Sequence, residues 1–200
     1  IDGPETIREV LEEVVVRALR HAREHLEGRH PELAGRLTPP PHPFPRVPFS
    51  ECEAWLGRPG SGRDFGTDEE KRIGERMRSQ HGAAYYFITD YPTSVKAQTF
   101  YAERKGSDPS LTGYFDLGLD GTEIASGGPR EHRLDRLDEN IRSAGLDPAA
   151  FPGYREAFRF GMPPHGGFGF GVDRWVQQLA GLPNIREARL FPRDRYRLEP

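Results

Sequence analysis

The chain has 200 residues, 35% of them hydrophobic, and a formal net charge of -3. That is enough for one domain with a sizeable core and argues against a globally basic nucleic-acid binder. Cys52 stands alone, which excludes an intrachain disulfide and a cysteine-built zinc site, and no apolar run approaches a membrane span; a cytoplasmic protein is expected.

Of 28 basic side chains only Lys71, Lys96 and Lys105 are lysine. The first residue, Ile1, is followed at once by a helix signal, as expected of a processed or truncated chain or a fragment. Asp2 with Glu5 three residues on spells a capping box, and Pro4 suits the first helical turn. Ile7, Val10, Leu11, Val14, Val15, Ala18, Leu19, Ala22 and Leu26 then recur at helical spacing up to Gly28, which predicts a long amphipathic helix with one wide buried face. Six prolines between Pro39 and Pro48 predict an extended surface connector, anchored by Phe44, Val47 and Phe49. Ser50 is placed to cap a short helix through Trp55. After a glycine-rich loop, Gly57 to Phe65, Thr67 and Glu70 form a second capping box for a helix through Ile73 and Met77.

Ala84 to Thr89 is a strand candidate that stops at Asp90-Tyr91-Pro92, and Val95 to Tyr101 is a second. Thr112 to Leu119, Asp120-Gly121, and Thr122 to Ser126 spell a hairpin. With Asp120 and Gly121 as the turn, Gly118 faces Glu123, and alternation puts Asp116 and Glu123 on one face with side-chain-free Gly118 between them. Two carboxylates gathered without a positive neighbour suit a magnesium or ammonium ion. The alternative is a solvated sheet face.

Gly127-Gly128-Pro129 is expected to end that strand before Arg130. Helical segments follow from Leu134 to Ala144 and from Asp147 or Pro148 through Tyr154 and Phe158 to Gly161. In the next stretch, Gly167, Gly169 and Gly171 leave one side of a strand bare while Phe168 and Phe170 point into a core. Asp173 is placed to cap the following helix, with Arg174 beside it to meet an anion. A packed structural strand with a solvent-facing arginine is the alternative. That helix closes at Gly181, and the tail carries Arg186, Arg189, Arg193, Arg195 and Arg197 among acidic partners. There is no phosphate-binding GxxxxGK[ST] loop and no dinucleotide fingerprint. The pattern predicts an α+β fold, an antiparallel sheet flanked by helices, in a single domain over 1–200 that is mostly helical over 1–83 and sheet-centred over 84–200.

Several runs together resemble the catalytic core of class II aminoacyl-tRNA synthetases, in particular the aspartyl and asparaginyl enzymes of archaeal type. They are Pro43-Phe44-Pro45-Arg46, Gly66-Thr67-Asp68-Glu69-Glu70, Tyr86 to Pro92, Phe115-Asp116-Leu117, Glu123 to Arg130, Gly161 to Arg174, which is similar to the family's third signature motif, and Leu190 to Asp194. The resemblance covers the C-terminal part of that core; the first and second motifs and the anticodon-binding barrel would lie before Ile1, so half of an active site is expected here.

The resemblance implies that Asp116, Glu123 and Ser126 hold magnesium and the ATP phosphates, with Glu123 the main metal-linked carboxylate. For Ser126 this requires a bulge, because an ideal hairpin puts it on the opposite face. It implies that Gly169 and Gly171 floor the adenosine or amino-acid site, and that Arg174 contacts the terminal phosphate and stacks on adenine. Arg130, with Tyr101 and Gly169, would bind the amino acid. Glu123 and Arg174 would carry the catalysis. Pro129 stands where the family usually has glutamine, and the Lys96-to-Tyr101 run carries an extra residue around Gln98-Thr99. The implied activity is ATP-dependent activation of aspartate, or a close analogue such as asparagine, followed by transfer to tRNA. The tRNA would be held through regions outside this chain, and a homodimer is expected where the first motif exists. The alternatives are a tRNA-independent, amide-forming relative of the asparagine synthetase kind and a non-catalytic binding or regulatory module.

Overall fold

Five strands lie side by side in chain order in the computed structural model, which describes residues 1–199: β1 (Arg46–Pro48), β2 (Tyr85–Thr89), β3 (Phe115–Leu119), β4 (Thr122–Arg130) and β5 (His165–Phe170). β2 to β5 pair antiparallel, whereas β1, three residues of the proline connector, runs parallel to β2. The expected antiparallel sheet is therefore mixed at one edge. Prolines are tolerated there because they keep their carbonyls: Phe87 N donates to Pro45 O at 2.8 Å.

Helix α1 (Pro4–Leu26) lies under one face of the sheet, where Ile7, Leu11, Val15 and Leu19 meet Phe87, Phe115 and Leu117. Its buried stripe is narrower than the periodicity predicts, since Val10 and Val14 are 52% and 42% exposed. Asp2 lies outside the helix, whose N-cap is Gly3 and which has no side-chain cap. After the short α2 (Pro31–Arg36), α3 (Phe49–Trp55) and α4 (Thr67–His81) cover the other sheet face near β1 and β2, burying Phe49, Ile73 and Met77 against Tyr86, Ile88 and Tyr91. Ser50 lies inside α3, behind an N-cap at Pro48. The α4 capping box sits one residue earlier than predicted: Gly66 is the N-cap and its N–H donates to Glu69 at 3.0 Å. Glu70 is thereby free to turn elsewhere.

Val95 to Tyr101 forms tight turns and no strand: the Val95 and Lys96 amides both donate to Pro92 O, and Thr99 N donates to Lys96 O. Only its end touches the sheet, where Glu131 N donates to Tyr101 O at 2.8 Å and Ala102 bridges Arg130. The Gly127-Gly128-Pro129 run does not end β4, which continues to Arg130 against β5. Gly127 permits that pairing, since a Cβ there would stand 2.6 Å from the Phe168 Cα. Helices α5 (Leu134–Ser143) and α6 (Pro152–Arg159) form a side layer around Leu137, Ile141 and Phe158. A single 3-10 turn, Pro148–Ala150, capped by Asp147 through the Ala149 amide at 2.9 Å, divides the predicted second helix. The last α-helix among the described residues, α7 (Val172–Ala180), follows β5 directly.

The α4 helix touches the β3–β4 turn backbone to backbone at Gly74, where a Cβ would fall 2.5 Å from the Gly121 Cα. Neither backbone can yield without moving an element. Gly74→Ala is expected to cost about 2 kcal/mol or more of stability, measured as a lowered midpoint in urea unfolding.

Candidate active site

One extra residue in β4 assembles the site. Gly118 pairs with Glu123 and Leu117 with Ala125, so Ile124 is bulged between them, and Asp116 comes to face Ser126. The bulge sends Ile124 into the core at 1% exposure and leaves Glu123 and Ser126, three residues apart, on the same side as Asp116. Gly169 pairs with Ser126 on the next strand and extends that face. Gly118 does not leave the open space between the two acids that the hairpin pattern predicts. The Tyr86 ring lies over it, and a Cβ there would stand 2.5 Å from the ring's Cζ.

A cavity of about 110 Å³ opens beside these strands, lined by Asp64, Glu70, Tyr86, Tyr91, Asp116 and Glu123 among others. Burial raises the Asp116 carboxyl to about 6, and the neighbouring Lys96 acts against that rise. Burial also raises Glu123, opposed by Arg174, and raises Glu70, opposed by a hydrogen bond from the Glu123 amide. Asp116 Oδ2 accepts from the Tyr91 hydroxyl and lies 3.4 Å from Lys96 Nζ, while Asp116 Oδ1 is buried without any partner. The pattern of acids alone predicts no positive group here. Lys96 supplies one, donating to Asp64 Oδ2 at 2.8 Å and standing 4.1 Å from the Tyr91 ring centroid. Burial pulls the Lys96 ammonium down, but Asp116 and Asp64 outweigh it and hold it above its ordinary value.

No group of three or more His, Cys, Asp or Glu side chains among the described residues forms a ready-made metal cage. Magnesium does not need one: it is commonly held by one or two carboxylates with water and substrate phosphates. The unpartnered Asp116 Oδ1 and the neighbouring Glu123 fit that mode.

Arg174 stands in the first turn of α7, about half exposed, with Nη1 3.1 Å from Glu123 O and 3.9 Å from Glu123 Oε1. Asp173 caps nothing. The N-cap is Gly171, and Asp173 accepts from Arg189 Nε at 2.6 Å. The expected floor glycines divide. Around Gly167 and Gly169 no atom lies within 4 Å of an added Cβ, so that face is open. Gly171 instead is packed against β4, donating to Ile124 O at 2.7 Å, with an added Cβ 3.2 Å from the same oxygen.

The open face continues into a second cavity, about 200 Å³, between Tyr101, Tyr114, Ser126, Arg130 and Gly169. The exposed Arg130 guanidinium stacks over the Tyr101 ring at 5.0 Å and makes no ion pair among the described residues. A larger hollow of about 430 Å³ lies under the proline connector, but its arginines are already engaged, Arg36 with Ala180 O and Arg78 with Asp120. Size does not mark the site.

Asp116, Glu123, Ser126, Gly169 and Arg174 thus share one face, with Arg130 and Tyr101 at its adjoining end, and Gly171 serves as the seat of α7. Asp64, Glu70, Tyr91, Lys96 and Tyr114 were not among the expected site residues, although Glu70 and Tyr91 fall inside the runs that carry the family resemblance and Lys96 opens the run with the extra residue. The sequence reading spent Glu70 on the α4 cap, a task that Glu69 performs in the structure, and Lys96 stood out only as one of three lysines.

The model of the family described as tRNA synthetases class II (D, K and N) matches residues 2–195. The aspartate–tRNA(Asp) ligase of Thermococcus kodakarensis is 43% identical over the whole of this chain, which covers 46% of that protein. The aspartyl tRNA synthetase structure from Entamoeba histolytica superposes with a TM-score of 0.84 at 31% identity, covering 100% of this chain and 42% of that one. The asparaginyl-tRNA synthetase of the same organism, in complex with asparaginyl-adenylate, gives 0.83 at 28% identity, covering 98% and 46%. The chain spans about half the length of the curated relatives it matches. Matched along nearly its full length by the family model, and over its whole length by the first two of these relatives, the chain belongs to the class II tRNA synthetases of the D, K and N group.

Proposed function

We propose that this chain supplies one wall of the site in which aspartate, or a close analogue such as asparagine, is activated by ATP for transfer to tRNA. The observation that carries the proposal is the convergence of a partnerless carboxylate oxygen on Asp116, the Glu123 carboxylate and the Arg174 guanidinium above an open glycine face. The relatives named as aspartate–tRNA ligase and aspartyl tRNA synthetase, and the one bound to asparaginyl-adenylate, support it.

In this reading Gly167 and Gly169 let a flat group lie against the strand backbone, and Arg174 pairs with terminal phosphates or stacks on a base. Arg130, free of a carboxylate partner among the described residues, offers a two-pronged donor to the amino acid's side chain, and Tyr101 holds its plane. An amino-acid carboxylate oxygen attacks the α-phosphorus and pyrophosphate leaves. A ribose hydroxyl of tRNA then attacks the acyl carbon and AMP leaves. The first step needs no side-chain base, because its nucleophile is already ionised; the site contributes placement and charge stabilisation. Magnesium held by Asp116 and Glu123, with Ser126 beside them, would neutralise phosphate charge. The tRNA contacts and dimer contacts are assigned to sequence outside this chain, which covers 46% of the Thermococcus kodakarensis relative, and the proposed setting of the reaction is the cytoplasm.

Arg174→Ala is expected to weaken Mg-ATP binding by about tenfold or more, the scale of one lost charge-assisted pair; calorimetric titration giving equal affinities would remove Arg174 from the site. Aspartate is expected to support pyrophosphate exchange better than asparagine, because a carboxylate accepts both prongs of Arg130. Exchange with asparagine alone would overturn that preference, and charging of tRNA by the full-length protein tests the acceptor.

A further inference from the structure

The four acids around the 110 Å³ cavity fall into two pairs. Asp64 and Asp116 face Lys96, with Nζ 2.8 Å and 3.4 Å from their Oδ2 atoms. Glu70 and Glu123 face Arg174, whose Nη1 is 3.9 Å from Glu123 Oε1. The Lys96 side chain is only 12% exposed, and its ammonium lies against the Tyr91 ring at 4.1 Å and the Tyr114 ring at 5.1 Å. An ammonium so enclosed has one approach to Asp116, from the Oδ2 side, where the Tyr91 hydroxyl also donates. Both donors act on the same oxygen. The carboxylate plane is thereby set, and Oδ1 is left buried and without a partner on a side chain that lines the cavity.

We propose that Lys96 is a positioning residue: with Tyr91 it occupies one oxygen of Asp116 so that the other is left for a divalent cation shared with Glu123. The inference rests on the cation reading of Asp116 and Glu123 given above. It assigns a task to the turn segment that carries the extra residue near Gln98-Thr99, because the turns closing on Pro92 O and Lys96 O bring the ammonium in from outside the sheet.

A lysine merely close to a cation site and a lysine that builds it predict opposite signs. A bystander ammonium repels a divalent ion, so its removal would tighten metal binding. A positioning ammonium releases Asp116 when removed, so metal binding weakens. The measurement is the affinity of the full chain for a non-hydrolysable ATP analogue, with Mn2+ and with EDTA, the ratio of the two affinities reporting the metal's share. Lys96→Met is expected to lower that ratio about tenfold, and Lys96→Arg, which keeps the charge, to restore it to within about threefold. Thermal unfolding of each variant identifies any that fails to fold, in which case Lys96→Arg and Tyr91→Phe, which removes the companion donor and is expected to lower the ratio, carry the test. A ratio unchanged or raised in Lys96→Met, or a loss that arginine does not restore, overturns the assignment of Lys96 while leaving the cation site standing. A ratio of one in the unaltered protein overturns the cation site itself.

Discussion

Everything at the site depends on the single bulged residue in β4. A strand normally shows alternate residues to its two faces, so Glu123 and Ser126 would lie on opposite sides of a regular ladder. The extra Ile124 reverses the phase between them. The same distortion drives Ile124 into the core against the α1 side, where its burial offsets the interrupted ladder. One irregularity thus serves packing and polar chemistry together. It also explains why β4 can supply Glu123 and Ser126 to one face while Ala125 stays in the hydrophobic layer.

Charge balance is the second constraint. Two like charges 4 Å apart repel by about 4 kcal/mol at an effective dielectric near 20, so four acids around one small cavity need counter-charges. The protein places two, Lys96 and Arg174, and they approach from different elements, a turn segment and a helix start. Arg174 is half exposed and so open to exchange its carboxylate for a phosphate, whereas Lys96 is enclosed between rings and keeps its partners. One cation is structural, the other available.

Much of this was legible from the residues. The Asp120-Gly121 turn set Gly118 opposite Glu123, the glycine and phenylalanine alternation of β5 separated its open and buried faces, and Ser126 and Arg130, both singled out by the resemblance, line one cavity. What failed did so for tertiary reasons. Val95 to Tyr101 has strand-like residues but closes its amides on its own and neighbouring turn carbonyls, and Val10 and Val14 fit the helical period yet fall outside the strip that α1 presents to the sheet. The bulge has no local mark: Ile124 looks like any strand residue, and only the need to bring Ser126 round pointed to it. The role of Lys96 was not legible because a lysine is ordinarily solvated, and nothing in its neighbours states that two tyrosines and two aspartates converge on it from distant parts of the chain.

The chain has two tryptophans, and their placement differs. Trp55 lies at the end of α3 under the Arg76 guanidinium, on the outer side of the second core. Trp175 directly follows Arg174, is 8% exposed, donates its indole N–H to the Tyr85 hydroxyl at 2.9 Å and packs 5.1 Å from the Phe170 ring. Its indole therefore sits behind the glycine floor, wired to β2, β5 and α7 at once. The molecule carries its own optical reporter there: a shift of α7 against the sheet would alter the indole's hydrogen bond and ring contacts, and with them its emission.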